Sequence, residues 1–251
     1  MKLSISNIAW DIEKRKKIYK FFLSKNIEGL EIAPKLFLHN HQNFLKPKKN
    51  KLKENFYEIK NFKYKIISMQ SLFYNTTDCF LFGNENQQKK FINHFKKVIF
   101  LAHKLKIPNL VFGSPKNKKI PYFMKKKDAI KISIKIFRLV AKEAKKYNII
   151  VSLESNPKIY GSNFLNNINE TYKLIKLVNR KNIKLILDTG EILVHKNQNK
   201  LNKIIKKTIK QINHVHLSEP FLKKIENKSF FMKVISQLKK NNYKKWVSIE
   251  M

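Results

Sequence analysis

Eight short apolar runs rich in β-branched residues, alternating with longer amphipathic stretches and broken by no glycine- or proline-rich linker, predict an α/β protein of the (β/α)8 TIM-barrel type. The acidic residues point the same way. Of only 17 in the chain, five stand at the ends of such runs: Glu31, Glu154 after IIVSL, Asp188 after IKLIL, Glu219 after HVHLS and Glu250 after WVSI. A parallel barrel assembles its active site at the rim where strand ends and βα loops converge, so carboxylates recurring at that position read as a site.

In chain order, the strands are expected at Leu3–Ser6, Gly29–Ile32, Tyr64–Met69, Asn109–Phe112, Ile149–Leu153, Ile183–Leu187, His214–Leu217 and Val247–Ile249. Each is a run of four to six residues or fewer, too short for a helix and dense in Ile, Leu and Val. Between them, residues 11–25, 47–60, 87–105, 126–146, 168–178, 198–211 and 228–240 carry apolar positions three and four apart, the period of a helix with one buried face. Seven helices thus separate eight strands. The sequence stops at Met251, directly after the eighth, so the customary last outer helix is expected to be missing, and a second subunit is a natural cover for the gap.

A chain of 251 residues with 43% hydrophobic content can bury one large core, and a single domain over 1–251 is expected. Cys79 is the sole cysteine, which excludes an intrachain disulfide and a cysteine-rich zinc site and fits a reducing cytoplasm. The opening MKLSISNIAWDIEKRKK lacks the unbroken apolar core of a signal peptide, and no run is long enough to span a bilayer, so a soluble protein without membrane partners is expected. The net charge is +37. Nearly all of it is lysine spread over every expected helix, with arginine only at Arg15, Arg138 and Arg180, whereas phosphate and base recognition favours arginine. The charge therefore reads as compositional bias on solvated positions, and nucleic acid is not the expected partner, although the field attracts anionic small molecules.

The chemistry resides at the strand ends. Alternate residues of a strand share a face, so His214 and His216 point together into the barrel. Either could reach a central ion, and one imidazole with two glutamates and an aspartate suggests a hard, oxygen-rich metal shell favouring Mn²⁺ or Mg²⁺, with Zn²⁺ or Co²⁺ left open. Taken singly, Glu31 and Glu219 are read as ordinary strand-end residues, capping a following helix or pairing with a lysine, in preference to ligands. His39, His41, His94, His103 and His195 end no strand and read as surface or helix histidines.

The ordered segments SISNIAW, EGLEIAP, ISMQS, LVFGSPKNK, SLESNP with YGSNFLNN, LILDTG, HVHLSEP and WVSIEM resemble the xylose isomerase-like superfamily, in particular sugar phosphate isomerase/epimerases and more distantly the ketohexose 3-epimerases. That resemblance implies four metal ligands, Glu154, Asp188, His216 and Glu250, with Glu154 and Glu250 also exchanging the substrate's proton. It leaves His214 beside the centre or facing substrate. Substrate contacts are expected from Glu31, Gln70, Ser114, Lys116, Asn156, Tyr160, His214 and Glu219, with Ser114, Lys116 and Asn117 of FGSPKNKK placed to wrap a phosphate or sugar acid, and Trp10 and Phe73 as an apolar wall. The competing reading of FGSPKNKK is a solvated turn.

The chain departs from the epimerases where they have Asp-x-x-His, here ending in Glu191; where an arginine follows the metal histidine, here Leu222; and where a glutamate precedes the Asn-Phe pair, here near Gly161. A free ketohexose such as tagatose or psicose is therefore disfavoured. An endonuclease IV-like abasic-site repair enzyme needs further histidines where this chain has Gln70, the Phe112-Gly113-Ser114 turn and Glu191. That enzyme and a non-catalytic barrel serving as a small-molecule binding module are the alternatives.

Overall fold

The structure, a computed structural model, describes residues 1–38, 44–45 and 49–251. Eight parallel strands close into a barrel in sequence order: β1 (Lys2–Ser6), β2 (Gly29–Ile32), β3 (Lys65–Met69), β4 (Asn109–Phe112), β5 (Ile150–Leu153), β6 (Ile183–Asp188), β7 (Ile212–Ser218) and β8 (Trp246–Glu250). Every expected strand is present, its ends moved by two residues or fewer. β8 closes the ring, with Val247 opposite Leu3 of β1 and Val215 of β7.

Among the described residues there are nine α-helices: α1 (Arg15–Leu23), α2 (Pro34–Phe37), α3 (Lys49–Asn61), α4 (Glu85–Lys104), α5 (Lys126–Lys146), α6 (Ile168–Val178), α7 (Thr189–Val194), α8 (Leu201–Thr208) and α9 (Lys228–Lys240). Seven match the expected stretches. The other two, α2 and α7, are too short to show an amphipathic period and are set by local chemistry. Pro34 opens α2 with its φ already helical, and the Asp188 side chain caps α7 by accepting from Gly190 N.

Two cores hold the strand ends in place. Outside the barrel, Phe73, Phe91, Phe95, Phe112 and Phe137 form a continuous aromatic cluster, with ring centroids 4.7 Å apart for Phe73–Phe91, 5.2 Å for Phe95–Phe112 and 5.8 Å for Phe112–Phe137. Each such ring contributes on the order of 2–3 kcal/mol by burial, and together they clamp β4 against α4 and α5. Inside, the usual branched apolar filling gives way to polar groups. Asn109 donates to Ser68 Oγ at 2.9 Å and accepts at its Oδ1 from Ser152 Oγ at 2.7 Å and Asn213 Nδ2 at 2.9 Å. This hydrogen-bonded floor joins β3, β4, β5 and β7 on the N-terminal side of His214, and it satisfies buried groups that would otherwise cost several kcal/mol.

Candidate metal centre

Strand register builds the centre. Asp188 lies opposite His216 between β6 and β7, while Ser218 lies opposite Glu250 between β7 and β8. Glu154 follows β5 directly and is held by its N–H, which donates to Phe112 O at 3.0 Å. The Glu154 and Glu250 carboxylates thus meet one imidazole at the C-terminal rim, while Asp188, on the neighbouring strand, stands beside this group and not within it.

His216 is fully buried and has acids on both edges of its ring. Nδ1 lies 2.8 Å from Glu154 Oε1 and 3.1 Å from Glu250 Oε2, while Nε2 lies 3.1 Å from Glu31 Oε2. His214, its ring perpendicular and 5.2 Å away, brings Nε2 to 3.4 Å from Glu31 Oε1. Candidate donor atoms of Glu154, His216 and Glu250 all fall within 4.8 Å of one another, and so do those of Glu31, His214 and His216. Asp188 Oδ1 accepts a short hydrogen bond from Ser218 Oγ and another from Gly190 N at 2.9 Å.

The electrostatics of the bare protein show the strain of gathering these acids. Burial, reinforced by the Glu154 and Glu250 carboxylates, pushes Asp188 up to about 7. Burial opposes charge on Glu31 and on His216 as well. There the pairing wins: His216 and His214 hold Glu31 well below the usual carboxylate range, and Glu250, Glu31 and Glu154 hold His216 well above that of an imidazole.

These residues fit a divalent cation. The chain carries 54 Lys and Arg, yet among the described residues Glu31, Glu154, Asp188 and Glu250 form no ion pair with any of them. Both Glu31 oxygens and the Nε2 atoms of His214 and His216 are buried without a well-formed hydrogen bond. Four carboxylates facing two imidazoles leave an excess of negative charge, which a bound cation would balance.

Of the remaining sequence candidates, Asn156 and Tyr160 lie beside the centre and the others are dispersed. Gln70 is buried and donates to Ser6 Oγ at 2.7 Å. Ser114, left-handed at φ 41°, and exposed Lys116 line a cavity of about 280 Å³ between the loops after β3 and β4. Asn117 lines it too, but its amide N–H groups are already donated to Thr76 Oγ1 and Cys79 O and are not spare donors for a ligand. Asn156 Oδ1 is buried and unpartnered. Tyr160 OH accepts from Phe221 N at 3.1 Å, and its ring packs edge-on against Phe221. Glu219 is occupied in stapling its own loop, accepting from the N–H groups of Glu226 and Asn227. Phe73 is part of the buried aromatic cluster and also lines the cavity beside Ser114 and Lys116, while Trp10 packs on Tyr19 and Phe22. His94 is buried in α4 with Nε2 2.7 Å from Leu72 O, while His195 reaches Asn166 O and His103 packs on Tyr147. His39 and His41 lie outside the described residues.

Two further buried groups stand at the rim, Lys118, which the sequence reading did not single out, and Glu191, which it named only as a departure from the epimerase and endonuclease patterns. Lys118 is 0% exposed, donates to Glu154 O at 2.8 Å and is drawn down to about 7 by burial. Nothing in PKNKK marks which lysine turns inward. Glu191, also buried, is raised to about 8 by burial and then by the Asp188 charge.

The family model described as xylose isomerase-like TIM barrel matches residues 27–251. The chain belongs to that family. Its solved neighbours include D-psicose 3-epimerase of Clostridium cellulolyticum H10 with D-tagatose, at TM-score 0.76 and 16% identity, covering 99% of this chain and 84% of that one. An E. coli 3-keto-D-glucoside 4-epimerase superposes at TM-score 0.76 and 16% identity over 100% of this chain and 91% of its own. A family 2 AP endonuclease of Brucella melitensis does so at TM-score 0.72 and 15% identity, over 100% and 93%. At these identities the likeness speaks for the shared barrel alone. No curated protein matches this family member in sequence.

Proposed function

We propose that the protein is a divalent-metal-dependent isomerase or epimerase of a sugar or sugar phosphate, moving a proton next to a carbonyl with Glu154 and Glu250. The observation that carries this reading is the convergence of Glu154, Glu250 and buried His216, with Asp188 beside them, none of the acids ion-paired with a lysine or arginine among the described residues of a chain that has 54. Epimerase neighbours on the same barrel support it. Glu154, Asp188, Glu250 and the Nδ1 of His216 would hold the ion, Mn²⁺ or Mg²⁺ by the hardness of the donors. When bound, the ion polarises the substrate carbonyl and stabilises negative charge on its oxygen.

The protein's own part is proton traffic. Glu154 directly follows β5 and Glu250 ends β8, so their carboxylates approach His216 Nδ1 from different strand ends and suit the two faces of a substrate carbon lying between them. One takes the proton and the other returns it on the opposite face, which inverts the centre; return to the neighbouring carbon instead interconverts aldose and ketose. We place the protein, as a single domain, in a reducing cytoplasm, where the buried Cys79 stays a thiol. Among the described residues no helix is long and apolar enough to cross a membrane.

Incubation of Mn²⁺-loaded protein in D₂O with ketoses, sugar phosphates and sugar acids tests the reading, with deuterium at the exchanged carbon expected. Glu154→Gln and Glu250→Gln should each slow exchange by at least about a hundredfold, since an amide neither moves the proton nor binds a hard cation well. Cleavage of an abasic duplex without sugar exchange would put the endonuclease reading in its place. Tight sugar binding with no exchange would leave a binding module.

A further inference from the structure

A neutral imidazole carries its proton on one nitrogen and can offer a lone pair to a cation only from the other. His216 has two unlike edges. Nδ1 faces Glu154 and Glu250 at the rim, where a bound ion would replace its 2.8 Å hydrogen bond to Glu154 Oε1, whereas Nε2 faces Glu31, 3.1 Å away and 0% exposed, without a well-formed hydrogen bond in the metal-free chain. Among the described residues no backbone amide, hydroxyl or lysine reaches either oxygen of Glu31; its neighbours are His216 Nε2 at one oxygen and His214 Nε2, 3.4 Å away, at the other. A buried carboxylate is acceptor-only and costs several kcal/mol if left without donors. Its least costly state places an N–H on each of these two nitrogens.

We propose that Glu31 is the positioning residue of the centre: it draws the His216 proton to Nε2 and thereby frees Nδ1 to bind the cation on the Glu154–Glu250 side. The inference rests on the metal reading above. Glu31 then contacts neither ion nor substrate, in contrast to the substrate contact expected from the sequence, and acts through the ring it holds. A carboxylate receiving the far N–H of a ligating histidine fixes the ring's tautomer and raises its basicity. His214 occupies the second oxygen and so keeps Glu31 from turning away. The rival arrangement is a second ion held by Glu31, His214 and His216 themselves, whose donor atoms also lie within 4.8 Å of one another.

Two measurements on the full chain separate these arrangements. In ¹⁵N-histidine-labelled wild type loaded with ¹¹³Cd²⁺, the metal coupling is expected on His216 Nδ1 and the ring proton on Nε2, with one ion per chain. In calorimetric titration with Mn²⁺, Glu31→Gln should weaken binding about 10- to 100-fold, because the amide is a poorer acceptor and presents an N–H to one of the two histidines. Coupling on Nε2, or two ions per chain, would overturn the proposal even if the variant fails to fold. So would a folded Glu31→Gln with a lowered melting temperature but wild-type Mn²⁺ affinity, the mark of a purely structural role. Wild type that binds no divalent ion would remove the metal reading and this inference together; wild-type binding unaffected in the variant removes only this one.

Discussion

Glu191 and Lys118 bring opposite formal charges to the rim of the barrel, and burial drives both toward neutrality. For Glu191 the consequence for stability has a definite sign. Its ordinary value of 4.5 rises to about 8 in the folded chain, so between those values the folded state holds a proton that the unfolded state has released. Its contribution is intact below the ordinary value and is lost as pH climbs through about 8. Glu191→Gln keeps the size of the side chain and abolishes the titration. Melting temperatures of metal-free wild type and variant, measured from about pH 5 to about pH 8, should diverge in favour of the variant as pH rises, on the order of a few kcal/mol at the upper end. Parallel curves would show that Glu191 is ionised throughout. The comparison must be differential, because deprotonation elsewhere also lowers the large net positive charge as pH rises.

At the scale of elements, the junction of β4 and β5 fixes how close Glu154 stands to the chain. Phe112 pairs with Leu153 in register, and the aromatic cluster prevents β4 from sliding, so Gly113 rests against the Glu154 carboxylate. A methyl group there would overlap Glu154 Oε2, the free end of a flexible side chain, and would move it rather than the backbone. Gly113→Ala should therefore leave the melting temperature within a few degrees of wild type while weakening Mn²⁺ binding and turnover at least about tenfold, since ligands misplaced by an ångström lose much of their effect. Unchanged affinity would mean that Glu154 is not a ligand. The strands that carry the centre were legible because each is an apolar run ending in an acid, a pattern with no simpler origin in a chain so poor in carboxylates. Short α7 was not, since the same Asp188 that reads as a ligand also caps it. The inward turn of Lys118, the consumption of Asn117 and the two-sided role of His216 were also hidden. Each depends on contacts between residues far apart in sequence, and spacing carries no trace of which ring nitrogen meets which acid.

For the whole molecule, the charge balance at the surface is more one-sided than the composition suggests. Of the 17 acids, Glu31, Asp188, Glu191 and Glu250, with Glu154, are drawn into the barrel or its rim and leave the exterior to lysine. The ion pairs that remain outside include exposed neighbours in sequence such as Lys14–Asp11 and Lys89–Glu85, which solvent screens and which add little to stability. Arg15–Glu58, more buried and bidentate, is an exception. Self-repulsion among unpaired lysines thus opposes the folded state, and salt should relieve it. Raising NaCl from about 10 mM to about 300 mM shortens the screening length from roughly 30 Å to under 10 Å, so the melting temperature of the metal-free protein is expected to rise by several degrees. A protein held together by surface ion pairs would respond in the opposite sense. A falling curve would show that the lysines are engaged in stabilising networks, and the diffuse positive field would then need a structural explanation instead of a compositional one.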